Sequence, residues 1–135
     1  MSDTALESVL HTLLPGDADW PSAGSLDLAE AVRGDIDAAA LTAILEALPA
    51  GFAGSDAAAR EDALRAIETA QPASFDRLVA AAYLAYYTDS RVRIVIERRT
   101  GYAARPPQPL GYELEPFDEA LLDARKRRAP FWRKA

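Results

Sequence analysis

Chemistry in this 135-residue chain would have to start from very few side chains. There is one histidine, His11, and no cysteine, which excludes a disulfide framework and a metal centre built from several His and Cys ligands. A Ser–His–Asp relay would have to use His11, yet no Gly-x-Ser-x-Gly turn presents a nucleophile, so His11 reads as a structural or surface residue. Asp17/Asp19 and Asp35/Asp37 are carboxylate pairs two residues apart, the kind of spacing a calcium loop uses. Calcium takes about six or more oxygens, and the first pair runs directly into Trp20-Pro21, so both pairs read as loop and cap carboxylates. The seven glycines are scattered and form no phosphate-cradling loop. The expectation is a chain without catalytic, cofactor-binding or metal-ligating residues of its own, one that works by binding a partner.

The residues suited to binding gather late in the chain. Eight of the eleven aromatic residues lie from Tyr83 onward, and five of the nine prolines lie between 106 and 130. Tyr, Trp and Arg anchor protein interfaces because they bring large, partly polar surfaces at low entropic cost. The candidate contact residues are therefore Tyr86, Tyr87, Arg91, Tyr102, Arg105, Tyr112, Phe131 and Trp132. Pro106-Pro107-Gln108-Pro109 is expected to be extended, close to polyproline II, because proline fixes its own φ and restrains the residue before it. Beside Arg105 it also matches a Pro-x-x-Pro ligand for an SH3-like domain, although a structural strap is the preferred reading.

Charge divides the chain in the same place. Residues 1–90 hold 4 basic and 15 acidic side chains, net −11; residues 91–135 hold 11 and 6, net +5; together they give the −6 of the whole. The run Arg125-Lys126-Arg127-Arg128 is short, and the acidic body opposes phosphate, so contact with an acidic protein surface is expected rather than nucleic acid. The start, Met1-Ser2-Asp3, is acidic, and no Lys or Arg precedes Arg33, which is unlike a secretory or twin-arginine signal. No apolar run reaches the roughly 20 residues of a membrane span. The expected location is the cytoplasm, with export alongside a partner left open.

Positioning these residues calls for helices, since alanine is abundant and glycine scarce. Leu6, Val9, Leu10, Leu13 and Leu14 predict a helix over 4–14, stopped by Pro15-Gly16. Trp20 sits in the following loop, where it either folds back on the core or anchors an interface. A second helix is expected over 25–33 with Leu26, Ala29 and Val32 inward and Gly34 just past its end; a third follows Asp35 or Asp37 and carries Leu41, Ile44, Leu45 and Leu48. A fourth covers 56–70, capped by Ser55, with Ala59, Ala63, Ile67 and Ala70 as its stripe and Leu64 widening it.

The fifth starts at Gln71-Pro72 and is the most continuously apolar. Phe75, Leu78, Val79, Ala82, Tyr83 and Tyr86 share a broad face, which places it at the centre of a bundle. Thr88 or Asp89 caps a sixth over 90–99. Its Val92, Val95 and Ile96 suit a helix, although the β-branched run leaves a strand as the alternative. The predicted fold is all-α: a helical domain of five to six helices over 1–100 and an extended proline- and aromatic-rich arm over 101–135. A short helix near 117–127 is expected within the arm, with Leu121 and Leu122 inward.

One stretch carries a resemblance. Tyr86-Tyr87-Thr88-Asp89-Ser90-Arg91-Val92, then Gly101-Tyr102, then Arg105-Pro106-Pro107-Gln108-Pro109-Leu110-Gly111-Tyr112-Glu113 resembles a Tyr-Tyr-x-Asp-Pro-Arg-Val … Gly-Tyr … Arg-Pro-x-x-Pro-x-Gly-Tyr-Glu pattern. That pattern is similar to the family called gluconate 2-dehydrogenase subunit 3, and the likeness extends over residues 83–135, with Ser90 standing where the pattern has proline. The resemblance implies a small helical accessory subunit of a large FAD-dependent dehydrogenase of the glucose-methanol-choline type. The partner would hold FAD and the catalytic base, and this chain would contribute folding or stability within a hetero-oligomer. The alternative is a free-standing acidic helical interaction or regulatory protein.

Overall fold

The computed structural model describes residues 3–103, 116–123 and 127. The chain divides into two compact units, Met1–Ala104 and Arg105–Ala135. The first is all-α, with six α-helices and no strand among the described residues. Helix α1 is Asp3–Leu13, and its Leu6, Val9 and Leu10 are fully buried along one helical face. The chain then turns at Gly16, where φ is +72° and an added Cβ would lie 2.5 Å from the Trp20 carbonyl oxygen, so only glycine closes this loop. Asp17 Oδ1 accepts from the N–H groups of Asp19 and Trp20 at 2.8 and 2.9 Å. These bonds fold Trp20 back against the core, and they hold the Asp17 carboxyl below the usual carboxylate range, with the Asp19 N–H the largest cause.

The second predicted helix is split. A 3-10 turn, Ala23–Ser25, precedes α2, Ala29–Asp35, and Asp27 between them has a φ of 50°. The break lets Leu26 and Leu28 both be buried, which residues two apart on a regular helix do not readily achieve. Gly34 falls inside α2 rather than beyond it, and the extended, buried Ile36 ends the helix. Helix α3, Ala38–Ala47, is capped by Asp37, whose side chain accepts from the Ala40 N–H at 2.9 Å, and it buries Ala40, Leu41, Ile44 and Leu45. Phe52 follows, buried in a 3-10 turn.

Helix α4, Ala57–Ala70, is capped by Asp56 instead of Ser55, whose hydroxyl donates to the Gly51 carbonyl. Its buried residues are Leu64 and Ile67; Ala59 and Ala70, expected inward, are exposed because methyl groups are the cheapest to leave in water. Helix α5, Pro72–Thr88, packs on α2, α3, α4 and α6 and is the central element. Helix α6, Ser90–Thr100, resolves the helix-or-strand alternative as helix: Asp89 caps it, Val92 is buried, and Val95 and Ile96 are half-buried on the same side.

The second unit, taken by itself, has one described element. It is a 3-10 turn, Glu119–Leu122, capped by Asp118, whose side chain accepts from the Ala120 N–H at 2.9 Å. Residues 124–126 of the helix expected near 117–127 lie outside the described residues, and Leu121 and Leu122, expected inward, are exposed. Pro106–Pro109 and most of the Arg125–Arg128 run lie outside the described residues.

Candidate partner-binding surface

Helix α5 is apolar on nearly every side, so its helical period decides which residues meet the core. Inward are Phe75, Leu78, Ala81, Ala82, Ala85 and Tyr86. Outward are Asp76, Arg77, Ala80, Tyr83, Leu84 and Tyr87. Three of the six inward residues are alanines, while Tyr83, Leu84 and Tyr87 stand on the outside.

That outer face is aromatic. Tyr83, Leu84 and Tyr87 are 46%, 52% and 49% exposed. Tyr83 and Tyr87, one helical turn apart, stack with ring centroids 6.0 Å apart and planes 11° from parallel. Tyr87 also meets Tyr86 edge-on, at 5.2 Å and 86°. The three rings therefore run continuously from core to surface. Each restrains the next, which lowers the entropy a partner must remove on docking.

Tyr86, a candidate contact residue by sequence, belongs to the core. It is 4% exposed, and its hydroxyl donates to the Pro21 carbonyl at 2.8 Å. Burial, followed by the proximity of Tyr87 and Asp17, pushes its phenol above the ordinary value. Arg91 is likewise committed within the bundle. Its Nη2 donates to the Leu26 carbonyl at 2.7 Å and to Asp89 Oδ2 at 2.8 Å, and its Nε donates to Asp89 Oδ1 at 3.0 Å. The guanidinium thus ties the turn before α2 to the α5–α6 junction. Its hydrogen bond to Asp89 is the main reason that carboxyl lies below the usual range.

A second arginine repeats the arrangement at the other end of α6. Arg99 pairs with Asp19 and lies over the Trp20 ring, 5.9 Å from its centroid. With these two arginines holding the 17–28 segment along α6, the outer side of that helix is left to Arg93, Ile94, Glu97 and Arg98, all exposed. Tyr102, beyond its end, is exposed too.

Of the contact residues expected from sequence, Tyr87 and Tyr102 are at the surface, Tyr86 is in the core, and Arg91 is half-exposed but internally bonded. Arg105, Tyr112, Phe131 and Trp132 lie outside the described residues. Sequence reasoning missed Tyr83, which it turned inward, and Leu84. The available signal was Ala81 and Ala85: small residues fill the inward positions, and on a helix that is apolar all round, side-chain size does not mark the buried side.

Among the described residues no group of three or more His, Asp or Glu side chains is placed to hold a metal ion, and no helix is long and apolar enough to cross a membrane. Compared with protein-family models, with curated proteins and with solved structures, the chain matches none.

Proposed function

We propose that this chain is a non-catalytic accessory subunit that binds and stabilises a larger FAD-dependent oxidoreductase acting on a sugar, glycoside or alcohol. The observation that carries the binding role is the exposed aromatic face of α5, where Tyr83 and Tyr87 stack beside Leu84 on the helix whose opposite side forms the core. A contiguous apolar patch on a helix at the centre of a small bundle is surface that a partner would cover. The resemblance of residues 83–135 to the dehydrogenase small subunits supports the identity of that partner. In this reading the flavin and the catalytic base reside in the large subunit, and this chain contributes surface.

The test is co-purification. The tagged chain, expressed together with its neighbouring reading frames, is expected to retain a yellow flavoprotein that oxidises a sugar or alcohol. A tagged chain that elutes alone and colourless would contradict the proposal, as would substrate turnover by the isolated chain.

A further inference from the structure

We propose that this chain pairs with a second copy of itself through the outer face of α5, about a two-fold axis running along the helix. The pairing rests on the reading of that face as a docking surface, and not on the flavoprotein as its partner. Helix α5 carries two charged residues, Asp76 and Arg77, and they are adjacent. Both are exposed, and neither joins an ion pair among the described residues. With about 3.6 residues per turn, Asp76 and Tyr83 fall on one flank of the outer face, Arg77 and Leu84 on the other, and Ala80 and Tyr87 along the midline. The two flanks are therefore opposites at equal height: carboxylate beside guanidinium, then aromatic ring beside aliphatic chain.

A two-fold axis along α5 sets each flank against the opposite flank of the second copy. Asp76 then meets Arg77 of the second copy, Tyr83 meets Leu84 of the second copy, and each contact occurs twice. An antiparallel pair centred on the tyrosines would leave the charges at opposite ends of the contact, so charge selects the parallel arrangement. The receiving flank has room for a ring. A shallow hollow of about 230 Å³ lies between α5 and the α2–α3 connection, floored by buried Ile36 and Ala81 and bordered by Arg77, Ala80 and Leu84. The Tyr83 ring of the second copy enters it, and Asp35 and Asp37 on its rim offer carboxylate oxygens to the ring's hydroxyl. Asp37 Oδ1 accepts from the Ala40 N–H, which leaves Oδ2 for that hydroxyl. The stack on Tyr87 restrains each Tyr83 ring before contact. A contact one helix face wide is smaller than the roughly 800 Å² per partner of a standard interface. A dissociation constant on the order of 0.1 mM is expected, weak enough for a larger partner to displace the second copy.

The experiment follows sedimentation of the isolated full chain from about 10 μM to about 1 mM, and nuclear magnetic resonance of mixed isotope-labelled and unlabelled chains detects contacts between copies. A monomer–dimer equilibrium is expected, with contacts from Tyr83 of one copy to Leu84 of the other. Arg77→Asp and Asp76→Arg each turn two attractions into two repulsions and are expected to weaken pairing about tenfold. The double variant Asp76→Arg/Arg77→Asp is expected to restore it. Both residues are exposed, so the variants should keep the helical circular dichroism of the native chain. Should one lose it, the contacts in the native mixture decide. A chain that stays monomeric at about 1 mM would overturn the pairing and leave the flavoprotein proposal to its own co-purification test. So would a folded double variant no tighter than the single ones, or contacts between copies confined to another surface. A dimer through this face in a chain that retains no flavoprotein would support the pairing and contradict the proposed function alone.

Discussion

The two sides of α5 use the same residue types for opposite ends. The inward side has three alanines among its six buried residues and places one tyrosine, Tyr86, where its hydroxyl reaches the Pro21 carbonyl. The outward side holds two tyrosines and a leucine, all about half exposed, with no packing need that explains them. A helix in a bundle of this size gains stability from the side it buries, so bulk retained on the other side calls for a second purpose. In the function proposed above, the difference would mark where folding ends and recognition begins, within one helical turn.

Substitutions on the two sides should separate accordingly. The largest effect is expected from Leu78→Ala, a fully buried residue at the middle of the inward side. It should destabilise the bundle by about 3 kcal/mol, seen as a lower denaturant midpoint. Next is the junction that holds α6 onto α5. Asp89→Ala removes the cap and the Arg91 pairing together and should cost about 1 kcal/mol at neutral pH. Because the folded state lowers the Asp89 pKa, this contribution is present above the ordinary carboxylate range and is lost as pH falls through the folded value. The gap between native chain and variant should therefore be flat from neutral pH down to about pH 5 and close below about pH 4. Tyr86→Phe removes one hydrogen bond and should cost about 1 kcal/mol or less by the same unfolding measurement. Tyr83→Ala and Tyr87→Ala should change stability least, within about 0.5 kcal/mol. A large loss there would move the outer tyrosines into the folding account and erase the contrast.

Much of the fold was legible in the sequence because local signals agreed with the tertiary result. Leu6, Val9 and Leu10 keep strict helical spacing, Asp37 and Asp89 stand where caps are needed, and Pro72 opens α5. Where the signals misled, a long-range choice decided. Leu26 and Leu28 are both buried because Asp27 takes a left-handed conformation that periodicity does not announce. Asp56 rather than Ser55 caps α4, a difference of one residue between two good caps. The candidate surface was legible only in part. Tyr87 was identified by residue type, and Tyr86 was placed on the inward face as well as among the contact candidates, but Tyr83 was turned inward with it, since alanine and tyrosine both satisfy an apolar pattern. Arg91 looked like an interface arginine; its carbonyl partner, Leu26, lies 65 residues away, beyond the reach of any local motif.

The most direct test of the contrast is the affinity of the flavoprotein expected to co-purify, measured for the double variant Tyr83→Ala/Tyr87→Ala beside its unfolding midpoint. The account predicts a loss of binding of at least about tenfold, the scale of removing interface anchors, with the midpoint nearly unchanged. Native affinity in a variant that remains folded would show that the outer face of α5 is not where the partner docks.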